Sequence, residues 1–326
     1  MGGSPDPKRR SAAQPAYFRV DTGTRPSECV QVVLASFDPT QEPALSAVRD
    51  YARRMLTEAE QWATLASLVG GQYPHHLLEH LNAALAEAPG LAAAKEAGET
   101  AAEVRTRSLG HLTSHIRTEG EGSRAIVVFN GLSWPRTDPV RARVAWPAPG
   151  TSAVAIVDEW DRRVPVAVDG IERHAEGSLA SATLVFDALD VPPVGYRTYW
   201  LVAQPWDDVV SDFRPHGVPT EPSSPLVAVL TDRHSGHLPH AAGLVQVHPD
   251  HDVVLSSLAL TADGALVVRV RETAGRACHA EVRLFVPVSG DPLTVELEPG
   301  QSGTLTGVPE PAAWAPRGPL LGPELS

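Results

Sequence analysis

The chain has 326 residues and a formal net charge of −12, long enough for two or three domains and without a basic stripe to meet phosphates, which argues against nucleic acid as a partner. No apolar run reaches the length of a membrane span and the start lacks the core of a signal peptide, so a cytoplasmic protein with no membrane contact is expected. Its two cysteines, Cys29 and Cys278, have neither zinc-site nor redox spacing, and 30 prolines with 26 glycines predict many short strands, chiefly after residue 130.

Residues 1–43 are expected to be irregular, with extended pieces at 16–24 and 31–37. From there a helical signal takes over. Leu45, Val48, Ala52, Met55, Ala59, Trp62, Ala66 and Val69 recur at alternating steps of three and four, which is one apolar stripe on a helix. Arg53, Arg54, Glu58 and Glu60 fall off that stripe, and Gly70-Gly71 ends it. Pro74 suits the first turn of a second helix carrying Leu77, Leu78, Leu81, Ala84 and Leu85. Pro89-Gly90 breaks that helix, and residues 91–116 form a third, with Ala97, Ala101, Val104, Leu109, Leu112 and Ile116 inward. Short breaks between three helices predict an antiparallel three-helix bundle over 44–118.

The period changes at residue 124. Strands are predicted at 125–129, 140–146, 153–158, 164–168, 179–186 and 196–202, a first β unit spanning 124–203. Residues 204–225 carry Pro205, Pro215, Pro219, Pro222 and Pro225 and read as a linker. A second β unit, 226–306, has strands near 226–230, 244–247, 253–260, 265–271, 278–285 and 293–297, and 307–326 is an irregular tail. The fold class is therefore multidomain α+β, an N-terminal three-helix bundle followed by antiparallel β-sandwich-like units.

Three stretches in order carry a resemblance. RAIVVFNGLSWPRTDPVRARV at 124–144, VFDALDVPPVGYRTYWLV at 185–202 and VVLSSLALTADGALVVRVRETAG at 253–275 resemble segments of the β-rich part of glycoside hydrolase family 38, the α-mannosidases. AEQWATLASLVGGQYP at 59–74 resembles the first helix and turn of that family's helical domain, and YFRVDTGT at 17–24 a remnant of the segment that precedes it. The resemblance implies zinc-dependent retaining hydrolysis of terminal α-mannosides. It implies an Asp nucleophile, an acid/base carboxylate and a zinc ion held by His and Asp, most of them in a large N-terminal barrel. With the bundle beginning near residue 45, the expectation is a truncated or rearranged member, inactive alone. Zinc is the family's cofactor, and none is expected on this chain; the partners implied are an α-mannoside and a separate chain supplying the barrel. ALAEAPGLAAA at 84–94 stands where the family carries a further His and Asp. About fifty residues separate the second and third stretches, where the family has a long β region. The alternatives are a non-catalytic carbohydrate-binding or structural β module, and an incomplete product without a stable fold.

No catalytic residue is identified in the sequence. His111 and His115, four apart, share a helix face as zinc ligands do, but Leu-Thr-Ser between them supplies no glutamate base. His75, His76 and His80 open the second helix. His234, His237 and His240, followed by His248 and His251, form a denser loop cluster, and the first three are the candidate metal ligands. Trp134 and Arg136 are the candidate carbohydrate-binding edge, an aromatic face suiting the apolar side of a pyranose; packing at the bundle–sandwich junction is the other reading. Asp158, Glu159, Asp161, Asp187 and Asp190 fit strand ends and turns. Arg269 and Arg271 beside Glu272 read as a cross-strand ion-pair site, and Gly195 as a tight turn.

Overall fold

In a computed structural model of the chain, the described residues are 16–17, 33–34, 42–87, 89–120, 122–204, 224–290 and 292–310. Most of the expected irregular start, the Pro-rich stretch and most of the tail lie outside them. A two-residue pairing of β1 (Ala16–Tyr17) with β2 (Val33–Leu34) precedes three helices, α1 (Glu42–Ser67), α2 (His75–Ala86) and α3 (Leu91–His115). The predicted stripe on α1 is buried from Val48 to Val69. Ala52, Met55, Leu56, Ala59 and Ala63 meet Leu78, Leu81 and Leu85 of α2 and Ala97, Ala101 and Val104 of α3. So many alanines at the contact let α1 and α3 approach closely. No helix among the described residues is long and apolar enough to cross a membrane.

The strands follow as β3 (Arg124–Asn130), β4 (Arg136–Ala145), β5 (Ala153–Val157), β6 (Arg163–Val164), β7 (Val166–Arg173), β8 (Leu179–Val191), β9 (Gly195–Gln204), β10 (Val227–Asp232), β11 (Ala241–Gly243), β12 (Val245–His248), β13 (Val253–Leu260), β14 (Leu266–Glu272), β15 (Cys278–Leu284), β16 (Leu293–Leu297) and β17 (Ser302–Gly307). One sheet runs β10-β3-β9-β5-β6, with β11 paired to β9, and it packs on the sheet β4-β8-β7. Two three-stranded sheets, β12-β15-β16 and β13-β14-β17, make the second sandwich. All pairings between named strands are antiparallel, and the expected α+β class with sandwich-like units holds.

One strand sits elsewhere than its neighbours in sequence suggest. Sequence order puts the strand near 226–230 in the second β unit, yet β10 pairs with β3, Val227 opposite Phe129 and Asp232 opposite Arg124. The reason lies in β3. Its run Ala125–Phe129 is buried on both faces, Ile126 and Val128 toward β4 and β8, Val127 and Phe129 toward the helices and the second sandwich. A strand apolar on both faces belongs inside a sheet, with neighbours on each side; β9 supplies one and β10 the other. Sequence pattern identifies a strand but not its partner. β17, which was not predicted, completes the last sheet beside β14.

The cores of these parts are not separate. A single cluster contains Trp62 and Leu65 of α1, Val69 just after it, Leu109 and Leu112 of α3, Val127 and Phe129 of β3, and Tyr196 of β9. It continues into Leu258, Val268, Val282 and Leu293 of the second sandwich. Trp62 meets Phe129 edge-on at 5.4 Å between ring centroids, and Phe129 meets Tyr196 at 5.8 Å. Removing a buried aromatic side chain costs about 3–5 kcal/mol. Trp62→Ala is therefore expected to lower stability by that amount and to shift the helical and strand signals of a denaturant titration together. A shift confined to the helical signal, or unchanged midpoints, would contradict the shared core.

Candidate functional site

The three stretches that carry the family resemblance come together in space at one junction. Asn130, last residue of β3, is fully buried. Its Nδ2 donates toward the carbonyl oxygens of Trp134 (2.8 Å), Pro192 (3.0 Å) and Val191 (3.2 Å), and its Oδ1 accepts from the Leu132 N–H at 3.0 Å. One amide thus closes its own turn and ties it to the turn between β8 and β9. The Val194 N–H donates to Leu132 O at 2.7 Å, and the Leu244 N–H to Val194 O at 2.9 Å. Ser133 Oγ accepts from the Leu255 N–H of β13 at 3.1 Å, which brings in the third stretch. Gln61 of α1 reaches the Gly131 carbonyl at 3.0 Å. Gly195 is held by close approach, since a Cβ there would lie 2.2 Å from the Ala242 carbonyl oxygen.

Trp134 and Arg136 leave this junction in different directions. Trp134 is 40% exposed. Arg136 is turned inward: Nε lies 2.6 Å from Asp138 Oδ2, and Nη1 donates to Ser224 O at 2.5 Å. Ser224 Oγ in turn donates to Glu58 Oε1 at 2.7 Å, and Glu58 Oε2 pairs with Arg105 Nη1 at 2.5 Å inside the bundle. The guanidinium offered by sequence as part of a sugar edge is spent on fixing the start of β10 against α1 and β4.

The carboxylates of the first sandwich are engaged locally. Asp158 Oδ1 accepts from the Trp160 and Arg162 N–H groups at 3.0 and 2.9 Å, and Oδ2 from Arg162 Nε at 2.8 Å. Burial pushes its carboxyl up, and these hydrogen bonds outweigh that and hold it below the ordinary value. The same turn presents Trp160, 56% exposed, with the Arg162 guanidinium 4.4 Å above the ring; sequence reasoning passed it over. Glu159 pairs with Arg197 at 3.1 Å, and Asp190 gives its carbonyl to the same arginine. Asp161 and Asp190 sit at φ +57° and +46°, where Asp is tolerated better than most residues. Glu272, read as an ion-pair partner, instead turns its buried carboxylate on backbone N–H groups of Gly300, Ala274 and Arg276. The Gly300 N–H is the largest influence lowering its pKa.

Five of the histidines lie at the end of α3 or in the loop joining β10 to β11. The His111 and His115 rings lie 4.6 Å apart, tilted to one another, and His237 meets His115 edge-on at 5.0 Å. His234 and His240 aim ring nitrogens at backbone carbonyls of Thr113 and Arg117, 3.0 and 2.7 Å away. His248 is exposed and His251 lies 3.6 Å from Asp250. His75 rests edge-on against Tyr73. Among the described residues no group of three or more His, Cys, Asp or Glu is disposed to hold a metal ion.

No protein-family model matches the sequence, and no curated protein does. Solved structures similar to the chain include an α-mannosidase from Enterococcus faecalis V583, with a TM-score of 0.40 and 13% identity over 82% of this chain and 32% of that one. Another is a protein in glycosyl hydrolase family 38 from Enterococcus faecalis, with a TM-score of 0.39 and 10% identity over 73% of this chain and 41% of that one. The chain thus spans less than half the length of either.

A buried amide serving three carbonyls is expensive to lose, because each unsatisfied buried group costs about 1–3 kcal/mol. Asn130→Ala is expected to destabilise the chain by at least about 2 kcal/mol, whereas exposed Trp134→Ala stays within about 0.5 kcal/mol. Equal midpoints for the two variants in urea would contradict this assignment of roles.

Proposed function

We propose that this polypeptide is the helical and β portion of an α-mannosidase-type glycoside hydrolase, acting in mannose and glycan metabolism in the cytoplasm together with a catalytic barrel carried by another segment or chain. One observation supports the reading best: the three family-like stretches, the first and third joined by a contact between residues 122 apart, meet at Asn130, Ser133, Gly195 and Leu255. Residues that resemble a family for a shared structural reason should converge in this way. On this reading they frame the scaffold rather than perform the chemistry.

Retaining hydrolysis needs a nucleophile and an acid/base carboxylate about 5 Å apart across the scissile bond, held by a rigid frame. Asp158, Glu159 and Glu272 are taken up by arginines and backbone N–H groups, and Glu58 by Arg105 and Ser224. The family's zinc finds no fitting set of ligands among the described residues, so we assign the metal to the barrel. Contacts such as exposed Trp134 would bind ground state and transition state alike, which by itself does not accelerate the reaction. The second reading, a non-catalytic carbohydrate-binding module, has that same exposed tryptophan in its favour.

Release of an aryl leaving group from an α-mannoside tests the proposal. The purified 326-residue chain is expected to give no turnover above a blank, with zinc or with chelator, and to gain turnover once a barrel polypeptide is supplied. Zinc-dependent hydrolysis by the chain alone would overturn the division of labour. Tryptophan quenching by mannosides without turnover in either mixture would favour the binding module.

A further inference from the structure

The outer face of the sheet β13-β14-β17 leaves its arginines unpaired, where two other sheets pair theirs. Arg141 and Arg143, two residues apart on β4, meet Asp169 and Glu172 of β7 at 3.3 and 3.8 Å. Arg283 of β15 pairs with Glu281. On β14, Arg269 and Arg271 have the same two-residue spacing and are exposed, while Leu266, Val268 and Val270 turn into the core. Ser257 and Thr304 lie opposite Arg269, Val254 and Ser302 opposite Arg271, and Ala259 and Thr306 opposite Val267. None of these cross-strand rows contains a carboxylate. Among the described residues neither arginine has an ion-pair partner.

We infer that this face binds an anionic polysaccharide, Arg269 and Arg271 each taking one of its sulfate or carboxylate groups. Side chains two residues apart on a strand stand about 7 Å apart on one face. A guanidinium fork meets either oxyanion with two parallel N–H donors. Ser257, Ser302, Thr304 and Thr306 set hydroxyls in the same rows, which donate to an oxyanion or exchange hydrogen bonds with sugar hydroxyls. Composition does not force the two cations to go unpaired. The chain has 39 acidic residues against 27 basic, and at Arg141 and Arg143 a carboxylate fills the corresponding place. At Arg269 and Arg271 that place is left to a ligand.

The rest of the face favours a polysaccharide over other polyanions. A protein partner needs a well-packed aromatic or aliphatic anchor at the centre of its contact. The apolar side chains in these rows are Val254, Ala259 and Val267, all half-buried, and none is aromatic. Single-stranded nucleic acid needs aromatic rings for stacking, and duplex DNA is held through many phosphates, against two guanidinium groups here. On the bundle side, Glu60 of α1 is close enough to feel the Arg269 charge, but its carboxylate bonds to the Asn82 amide and makes no ion pair with Arg269. The formal charge of −12 opposes a polyanion from afar. At physiological salt that repulsion is screened beyond about 8 Å, whereas contact on the sheet face is not.

Titration of the full chain with dextran sulfate, polygalacturonate, neutral dextran and polyglutamate tests the assignment. Binding to dextran sulfate or polygalacturonate is expected, weakening as salt is raised, and the preferred one identifies sulfate or carboxylate as the group taken. Neutral dextran should not bind, and polyglutamate should bind more weakly than the preferred polysaccharide. Arg269→Gln combined with Arg271→Gln should weaken binding about tenfold or more. Arg141→Gln combined with Arg143→Gln removes the same charge and should weaken it less than about twofold. Three results overturn the proposal whether or not the variants fold: no binding of either anionic polysaccharide, equal binding of neutral dextran, or tighter binding of polyglutamate, which would point to an acidic protein. Equal losses in the two folded double variants overturn it as well, because binding would then follow net charge rather than this face.

Discussion

Phe129 lies between Trp62 and Tyr196, ring against ring at 5.4 and 5.8 Å; two parts of the molecule meet on those three side chains and a third joins through the same cluster. Trp62 brings the bundle, Phe129 and Tyr196 bring the central strands of the large sheet, and Leu258 and Val268 extend the same cluster into the second sandwich. This contact is possible because β3 is apolar on both faces. Had Val127 and Phe129 been polar, the first sandwich would close on Ile126 and Val128 alone and present a wet face to the helices. The unbroken run AIVVF is thus the constraint from which the arrangement of the other elements follows.

Polar groups then fix what the apolar cluster only brings near. Hydrophobic contact is not directional, and it tolerates small shifts of one layer over another. Asn130, Ser133 and Gln61 do not: each joins a side chain to a backbone group on a different element. The chain Arg136–Ser224–Glu58–Arg105 performs the same service on the bundle side. Breaking a buried ion pair of this kind by removing one partner leaves the other charge stranded, which costs far more than the pair contributes net.

The helices were largely legible in the sequence because one stripe, Val48 to Val69, carries a single period that only a helix satisfies. Strands were legible as strands. Their partners were not: nothing in Val227–Asp232 says that it crosses back to β3, because pairing depends on what the other strand lacks. At the junction, the Asn-Gly turn was visible, but the reach of Asn130 to Val191 and Pro192 was not, since it spans more than sixty residues. Arg136 looked available beside Trp134; its tie to Ser224 links positions 88 apart and has no local signature. The four-residue spacing of His111 and His115 did forecast that their rings meet, whereas His237 joins them through loop geometry alone.

The functional reading presumes that bundle and β units behave as one body, and that rests on the shared cluster. Chains of this length with several structural units commonly unfold in steps. Scanning calorimetry therefore tests the account directly, by comparing the calorimetric enthalpy with the van 't Hoff enthalpy of the same transition. A core continuous from Trp62 to Leu293 predicts one transition with a ratio near one. Two resolved transitions, or a ratio near two or above, would show the bundle and the sandwiches melting independently and would contradict it.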